Sequence, residues 1–321
     1  MSKRVMNILR SCSQKIEIYS IDEAFLSLDH NLYTDPASLS KYAAHMRHTV
    51  MKWTGIPVSI GIGPTKTLSK LANAVAKKNP DAHGVCNFID NPHRDKFMKS
   101  IPVVKIWGVG RRNAVKLNLH GIYTVYDFTR ASENWLRENL TIAGYRTHQE
   151  LNGISCINLT DITPPRKTII SSRSFCEPVT TLQPLREAIA SYVSIAAQKL
   201  RKQHSTASVI LVFITTKHYG NGPHYSQSTV QALHPASSYT PLLIKNALKL
   251  LSAIYKPGYR YKKAGVVLSG IHSTRSSQLD LFCPRGPHEE TVMSTIDMIN
   301  TQWGNGTIKT ASEGIEPTPS A

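Results

Sequence analysis

Apolar and polar positions alternate over residues 15–28: Lys-Ile-Glu-Ile-Tyr-Ser-Ile, a polar corner at Asp22-Glu23, then Ala-Phe-Leu-Ser-Leu. A period of two marks half-buried strands, so this stretch predicts a strand pair. Residues 38–53 have helical spacing, and 56–63 (Ile-Pro-Val-Ser-Ile-Gly-Ile-Gly) predict a strand closed by the Gly63-Pro64 breaker. Pro64 then opens a predicted helix to about residue 78, which Asn79-Pro80 ends. That order implies an α+β unit with helices backing one face of a mixed sheet. From 92 to 156 the pattern shifts to short helices punctuated by Gly108-Val109-Gly110, Gly121 and Gly144. Residues 160–167, with Pro164-Pro165, have linker composition.

Beyond the linker, Leu185, Ile189, Tyr192, Val193, Ala196 and Leu200 set a helix over 182–204 with a basic end. Strands are predicted at 208–216, 229–233 and 265–271, with an amphipathic helix at 239–255, which makes a second α+β domain. The tail from Ser273 is rich in Ser, Pro, Gly and Thr, and 304–321 reads as poorly ordered.

Composition narrows the function. Among 321 residues, 38 lysines and arginines face 21 aspartates and glutamates, a net charge of +17. That imbalance marks a polyanion partner, nucleic acid first and an anionic membrane second. No apolar run reaches the roughly 18 residues a membrane span needs, and residues 1–10 lack a signal-peptide core, so no membrane role is expected. Cys12, Cys86, Cys156, Cys176 and Cys283 are scattered without a C-x-x-C pair, which suits a reducing cytoplasm better than a disulfide or zinc framework. His45 and His48 share a helix face, and a solvated pair is the commoner meaning of that spacing.

Asp22 and Glu23 are the sharpest chemical feature. Neighbours on a regular strand point to opposite faces, so both reach one site only at a bend. There, two hard oxygen ligands suit Mg²⁺, although an isolated Asp-Glu pair is most often a solvated turn. On the predicted helix at 64–78, Lys66, Lys70 and Lys77 form one stripe, opposite Leu68, Leu71, Ala72 and Val75. A lysine row facing away from a core is usually solvated. Beside paired carboxylates it can instead neutralise a triphosphate.

Tyr-Ser-Ile-Asp-Glu-Ala-Phe (Tyr19 to Phe25) and Val-Ser-Ile-Gly-Ile-Gly-Pro-Thr-Lys-Thr-Leu-Ser-Lys-Leu-Ala-Asn (Val58 to Asn73) resemble the palm of Y-family translesion DNA polymerases, nearest the UmuC-type catalytic subunits of bacterial DNA polymerase V. The resemblance spans nearly the whole chain. It implies an α+β multidomain fold: a partial palm (1–91), a helix-hairpin-helix thumb (92–159), a linker (160–166), an α+β little finger (167–272) and a tail (273–321). It implies two Mg²⁺ ions, with Asp22 and Glu23 as catalytic metal ligands and Lys77 on the triphosphate. Lys66 and Lys70 lie along the same stripe and are candidate DNA contacts.

Gly108, Gly110, Arg111 and Arg112 resemble the thumb hairpin that grips duplex backbone, although a lone G-x-G is equally a plain helix–helix turn. Arg173, in Ser-Arg-Ser-Phe at the little-finger entrance, is a candidate phosphate contact or a structural salt bridge. Gln278, Leu279, Leu281 and Phe282 resemble the sliding-clamp pentapeptide Gln-Leu-x-Leu-Phe; the alternative is that they tuck back onto the little finger. The implied partners are damaged primer–template DNA, the sliding clamp, a UmuD′-type accessory subunit and RecA, in the cytoplasm at the nucleoid.

The family's pattern also holds a first metal-binding aspartate on an opening palm strand, followed by a fingers domain. No aspartate precedes Asp22 here, so a truncated polymerase is expected. The implied function is error-prone translesion synthesis in the SOS response, catalytically incomplete in this chain. The rival reading is a non-catalytic DNA- and clamp-binding protein. A structure-selective nuclease is weaker, because it leaves the lysine helix unexplained.

Overall fold

The computed structural model describes residues 1–28, 35–89, 91–160, 165–217, 223–274 and 288–314. The chain divides into two compact units, Met1–Thr163 and Pro164–Ala321.

The first unit begins with helix α1 (Ser2–Cys12), which the sequence reading missed. Its Val5 and Ile8 bury against Val50 of α2 (Pro36–Thr54), so the short apolar stripe is satisfied by one long neighbour. β1 (Lys15–Ile18) and β2 (Ala24–Ser27) form the expected antiparallel pair, with Ile16 opposite Leu26 and Glu17 opposite Phe25. The expected strand at 56–63 shrinks to β3 (Ile60–Ile62), which pairs in parallel with the short β4 (Val85–Asn87). Its register covers only those three residues. Leu26, Ile60, Ile62 and Val85 all pack with Ala43 and Met46 of α2, so one helix backs both strand pairs.

Helix α3 (Lys66–Lys78) starts two residues after Pro64, because Thr65 caps it through its side chain. Leu68, Leu71, Ala72 and Val75 bury as the periodicity predicts. Their core runs without a break across residue 91 into α4 (Arg94–Ser100), α5 (Arg111–Leu119), α6 (Val125–Thr129), α7 (Glu133–Asn139) and α8 (Ile142–Leu151). Gly61 is required where α3 crosses β3: an added Cβ would lie 2.1 Å from the Asn73 amide nitrogen.

The second unit runs β5 (Ile169–Val179), α9 (Leu182–Lys202), β6 (Ser205–Thr216), β7 (Ser226–Ser237), α10 (Thr240–Ile254) and β8 (Tyr261–Ser273). The sheet order is β5-β8-β6-β7, antiparallel throughout. Buried Ile210, Val212 and Ile214 alternate with half-buried neighbours on β6, so one sheet face packs on α9 and α10. Ahead of 304–321, where poor order is expected, the tail holds a helix that the sequence pattern does not mark. This is helix α11 (Glu289–Trp303), docked by buried Met293 and by a two-point pairing of Arg201 with Asp297 at 2.6 and 2.9 Å. None of the described helices is long and apolar enough to cross a membrane.

Candidate nucleotide and metal site

The β1–β2 turn puts Asp22 and Glu23 at the corner that the alternation implied. The amides of Tyr19 and Ser20 both donate to the Glu23 carbonyl at 3.0 Å, which closes the turn. Asp22 is exposed and takes a hydrogen bond from the Ser20 hydroxyl. The Glu23 carboxylate accepts from Lys70 Nζ at 2.9 Å. That ammonium also sits 4.5 Å from the Tyr19 ring centre and 5.2 Å from that of Trp107, within cation–π range. Trp107 Nε1–H in turn donates to the Tyr19 hydroxyl at 3.1 Å, tying the glycine turn to the carboxylate corner.

Glu23 and Lys70 border a hollow of about 320 Å³, whose wall also includes Thr67, Asn73, Lys77, Lys105 and Trp107. Lys77 and Lys105 are exposed. Two polar atoms on lining residues, Thr67 Oγ1 and Asn73 Oδ1, are buried without a hydrogen-bond partner. Both atoms are shut off from solvent, so the polar groups open to the hollow are the charged ends of its lining lysines and Glu23.

The lysine stripe splits into three roles. Lys66 does not face solvent: it is 8 % exposed, and its ammonium pairs with the Glu17 carboxylate and donates to the Asn158 carbonyl. The β-hairpin lies over the start of α3 and brings Glu17 there, so Lys66 is not open to DNA as expected. Lys70 is half-buried, and its ammonium pairs with Glu23. Of the three stripe lysines, only Lys77 is exposed on the hollow.

Of the two turn glycines, Gly108 has φ +88° and needs glycine, whereas Gly110 has an ordinary φ of −79° and caps α5. Buried Ile106 and Val109 anchor the turn, and Arg111 and Arg112 are exposed on the first turn of α5. A helix N-terminus disfavours cations, so these arginines lack a local reason for their place. Arg173 is exposed on β5, without an ion pair among the described residues. The pentapeptide at Gln278, Leu279, Leu281 and Phe282 lies outside the described residues.

The sequence reading did not single out Lys105, Trp107, Thr67 or Asn73 as site residues. Lys105 and Trp107 adjoin the glycine turn, but only the fold brings them to α3. Thr67 and Asn73 lie on the marked helix, one turn either side of Lys70.

The arrangement joins a carboxylate corner, a lysine helix and a glycine turn, and the fold matches that of Y-family DNA polymerases over 85% of the chain. A Y-family DNA polymerase chimera matches 85% of this chain and 75% of its own at a TM-score of 0.61 and 22% identity. Residues 1–74 match the model of the impB/mucB/samB family, and 166–281 match the model of that family's C-terminal domain. Residues 290–318 match a domain of unknown function. Protein UmuC of Salmonella typhimurium (strain LT2) is 37% identical over 98% of this chain and 75% of its own length. Protein SamB of the same species is 37% identical over 99% and 75%, and protein MucB of Escherichia coli 34% over 98% and 75%. The chain belongs to the impB/mucB/samB family.

Proposed function

We propose that the chain serves error-prone DNA synthesis past damaged template bases in the SOS response, with nucleotidyl transfer centred on Asp22 and Glu23. The observation that carries this reading is the convergence of Glu23, Lys70, Lys77 and Lys105 on one hollow. Three lysines and a carboxylate suit a nucleoside triphosphate and its cation.

Glu23 lines the hollow and Asp22 is its exposed neighbour in the chain; one Mg²⁺ takes one or two carboxylates and completes its shell with water and substrate phosphates. When bound, that ion would promote ionisation of the primer 3′-hydroxyl and offset triphosphate charge. Asp22 and Glu23 supply the oxygens. Lys70 balances the Glu23 charge from its berth against Tyr19 and Trp107, and Lys77 and Lys105 hold phosphate oxygens. The palm (1–91) and thumb (92–159) then divide the work. Gly108, Gly110, Arg111 and Arg112 grip the duplex backbone, and Arg173 of the little finger (167–272) takes a further phosphate. Damaged primer–template DNA, the sliding clamp, a UmuD′-type subunit and RecA are the proposed partners, at the nucleoid.

Two metal ions about 3.5–4 Å apart need more than two carboxylates. Among the described residues no group of three or more His, Cys, Asp and Glu side chains could hold a metal. That observation favours a second reading, a DNA- and clamp-binding protein without chemistry, for the chain by itself. Primer extension with Mg²⁺ separates the two. Met1–Ala321 alone is expected to extend little or nothing, and a fusion that supplies a third carboxylate from a relative is expected to extend. Asp22→Ala or Glu23→Ala in the fusion should abolish extension and leave DNA binding near normal. Extension by the chain alone would refute the need for a further carboxylate. An inactive, folded, DNA-binding fusion would reject the polymerase reading.

A further inference from the structure

We propose that Glu150, at the end of α8, is a positioning residue for the triphosphate-facing side of α3, with Glu17 as its second arm. The proposal rests on the nucleotide reading above and concerns residues to which that reading gives no role.

Glu150 is fully buried, which is unusual for a carboxylate and requires that its oxygens be satisfied. Its Oε2 accepts from the Thr67 amide at 3.0 Å, one of the free donors at the start of α3. Its Oε1 accepts from the amides of Cys156 and Ile157 at 2.7 and 3.0 Å. Its own carbonyl accepts from the hydroxyl of Thr65, the α3 cap, at 2.8 Å. A single side chain thus joins the end of α8, the strand of chain behind it and the first turn of α3.

Glu17 completes the clasp from the other side. It pairs with Lys66 and accepts from the Thr160 amide at 2.7 Å. Lys66 is the first residue of α3, where the helix dipole disfavours a cation, and it is nearly buried. Only nearby negative charge makes that position tolerable, and Glu17 supplies it directly. The carboxylate of Glu150 meets the helix where an anion is favoured.

The clasp acts on the hollow because α3 has little freedom elsewhere. Gly61 packs against the middle of the helix, so its axis is fixed there and its first turn is fixed by Glu150. Thr67, whose amide Glu150 holds, lines the hollow, as does Leu151 next to Glu150. Lys70 follows Lys66 by one turn, and Lys77 lies two turns further along the same stripe. A tilt of the first turn would therefore shift Lys70 against Glu23 and move Lys77 relative to the carboxylate corner.

The test compares wild type, Glu150→Gln and Glu17→Gln as full chains bound to a primer–template hairpin, at a temperature well below each variant's melting transition. Equilibrium dialysis with radiolabelled dATP and Mg²⁺ reads triphosphate affinity, and DNA affinity is measured in parallel. Glu150→Gln keeps the shape but presents an amide to three N–H donors. It is expected to weaken dATP binding about tenfold, as loss of a supporting partner typically does, with DNA affinity unchanged. Glu17→Gln should weaken it less, and Glu150→Asp should recover part of the loss. If Glu150→Gln melts lower but binds dATP like the wild type, Glu150 is structural only and the proposal is overturned. If Glu150→Gln does not fold, Glu17→Gln decides: unchanged dATP affinity there refutes the clasp. A wild-type chain that binds DNA but no dATP would overturn the nucleotide reading itself, and this inference with it.

Discussion

The two units solve the burial problem in opposite ways. In the second, strands of 11 to 13 residues form one four-stranded sheet, and the face against α9 and α10 is almost wholly apolar, with Leu185, Ile189, Ile210, Val212, Leu251 and Val266 at 0% exposure. In the first, strands of three or four residues make two separate pairs, and charge is carried inward: Lys66 and Glu150 are buried, and Glu17 is 15% exposed at its side chain. A buried ion pair adds little net stability over an apolar replacement, yet breaking one partner is costly. The second unit is therefore built to hold its shape, and the first to hold charged atoms in place at some expense of stability.

The contrast breaks first in the apolar sheet. Ile210→Ala should destabilise the second unit by about 2–5 kcal/mol, the usual cost of emptying a fully packed site. Denaturant titration followed by circular dichroism would measure it, and a loss below 1 kcal/mol would show that the sheet core is loosely packed.

Next comes Asp297→Ala. It leaves Arg201 with hydrogen bonds to the Ser238 carbonyl and the Thr240 hydroxyl only, and frees α11 from its charged anchor. About 1.5–3 kcal/mol is expected for charge-assisted bonds at this partly exposed site. Hydrogen exchange should show faster exchange over Glu289–Trp303 with the sheet unchanged; unchanged exchange would mean that Met293 alone holds the helix.

The smallest effect is in the first unit. Burial holds the His148 imidazole below its ordinary pKa of 6.5, partly opposed by its hydrogen bond with the Thr129 carbonyl and by the negative charge of Glu133. The unfolded chain therefore binds this proton more readily, and stability falls as pH drops below about 6.5 toward the folded value. His148→Gln should flatten the pH dependence of melting between pH 7 and 5. A profile identical to the wild type would place the acid sensitivity elsewhere.

Much of this difference was legible in residue order. Alternation on both sides of Asp22-Glu23 marked the hairpin and its corner, because a period of two interrupted by two acids has few other meanings. The α3 stripe was right in register but not in environment. Whether Lys66 is solvated depends on Glu17, 49 positions away, and no local pattern carries that pairing. Helix α11 was hidden by the Ser- and Pro-rich sequence before it, and β4 by its length of three residues. Glu150 escaped notice because a glutamate in a last helical turn ordinarily faces water. Its one local signal was that an acid sits where the helix dipole prefers a base.

On the proposed function, Glu23, Lys70 and Lys77 form a triphosphate site rather than a solvated charged surface. The most direct measurement is dATP affinity of the full chain on primer–template DNA with and without Mg²⁺, in wild type, Lys77→Ala and Glu23→Gln. A charged contact to phosphate predicts about tenfold weaker binding for Lys77→Ala, and Glu23→Gln should remove most of the Mg²⁺ enhancement. DNA affinity should stay within about twofold in both, since neither side chain is assigned to the duplex. Equal dATP affinity in all three proteins, or an Mg²⁺ response that survives Glu23→Gln, would contradict the account.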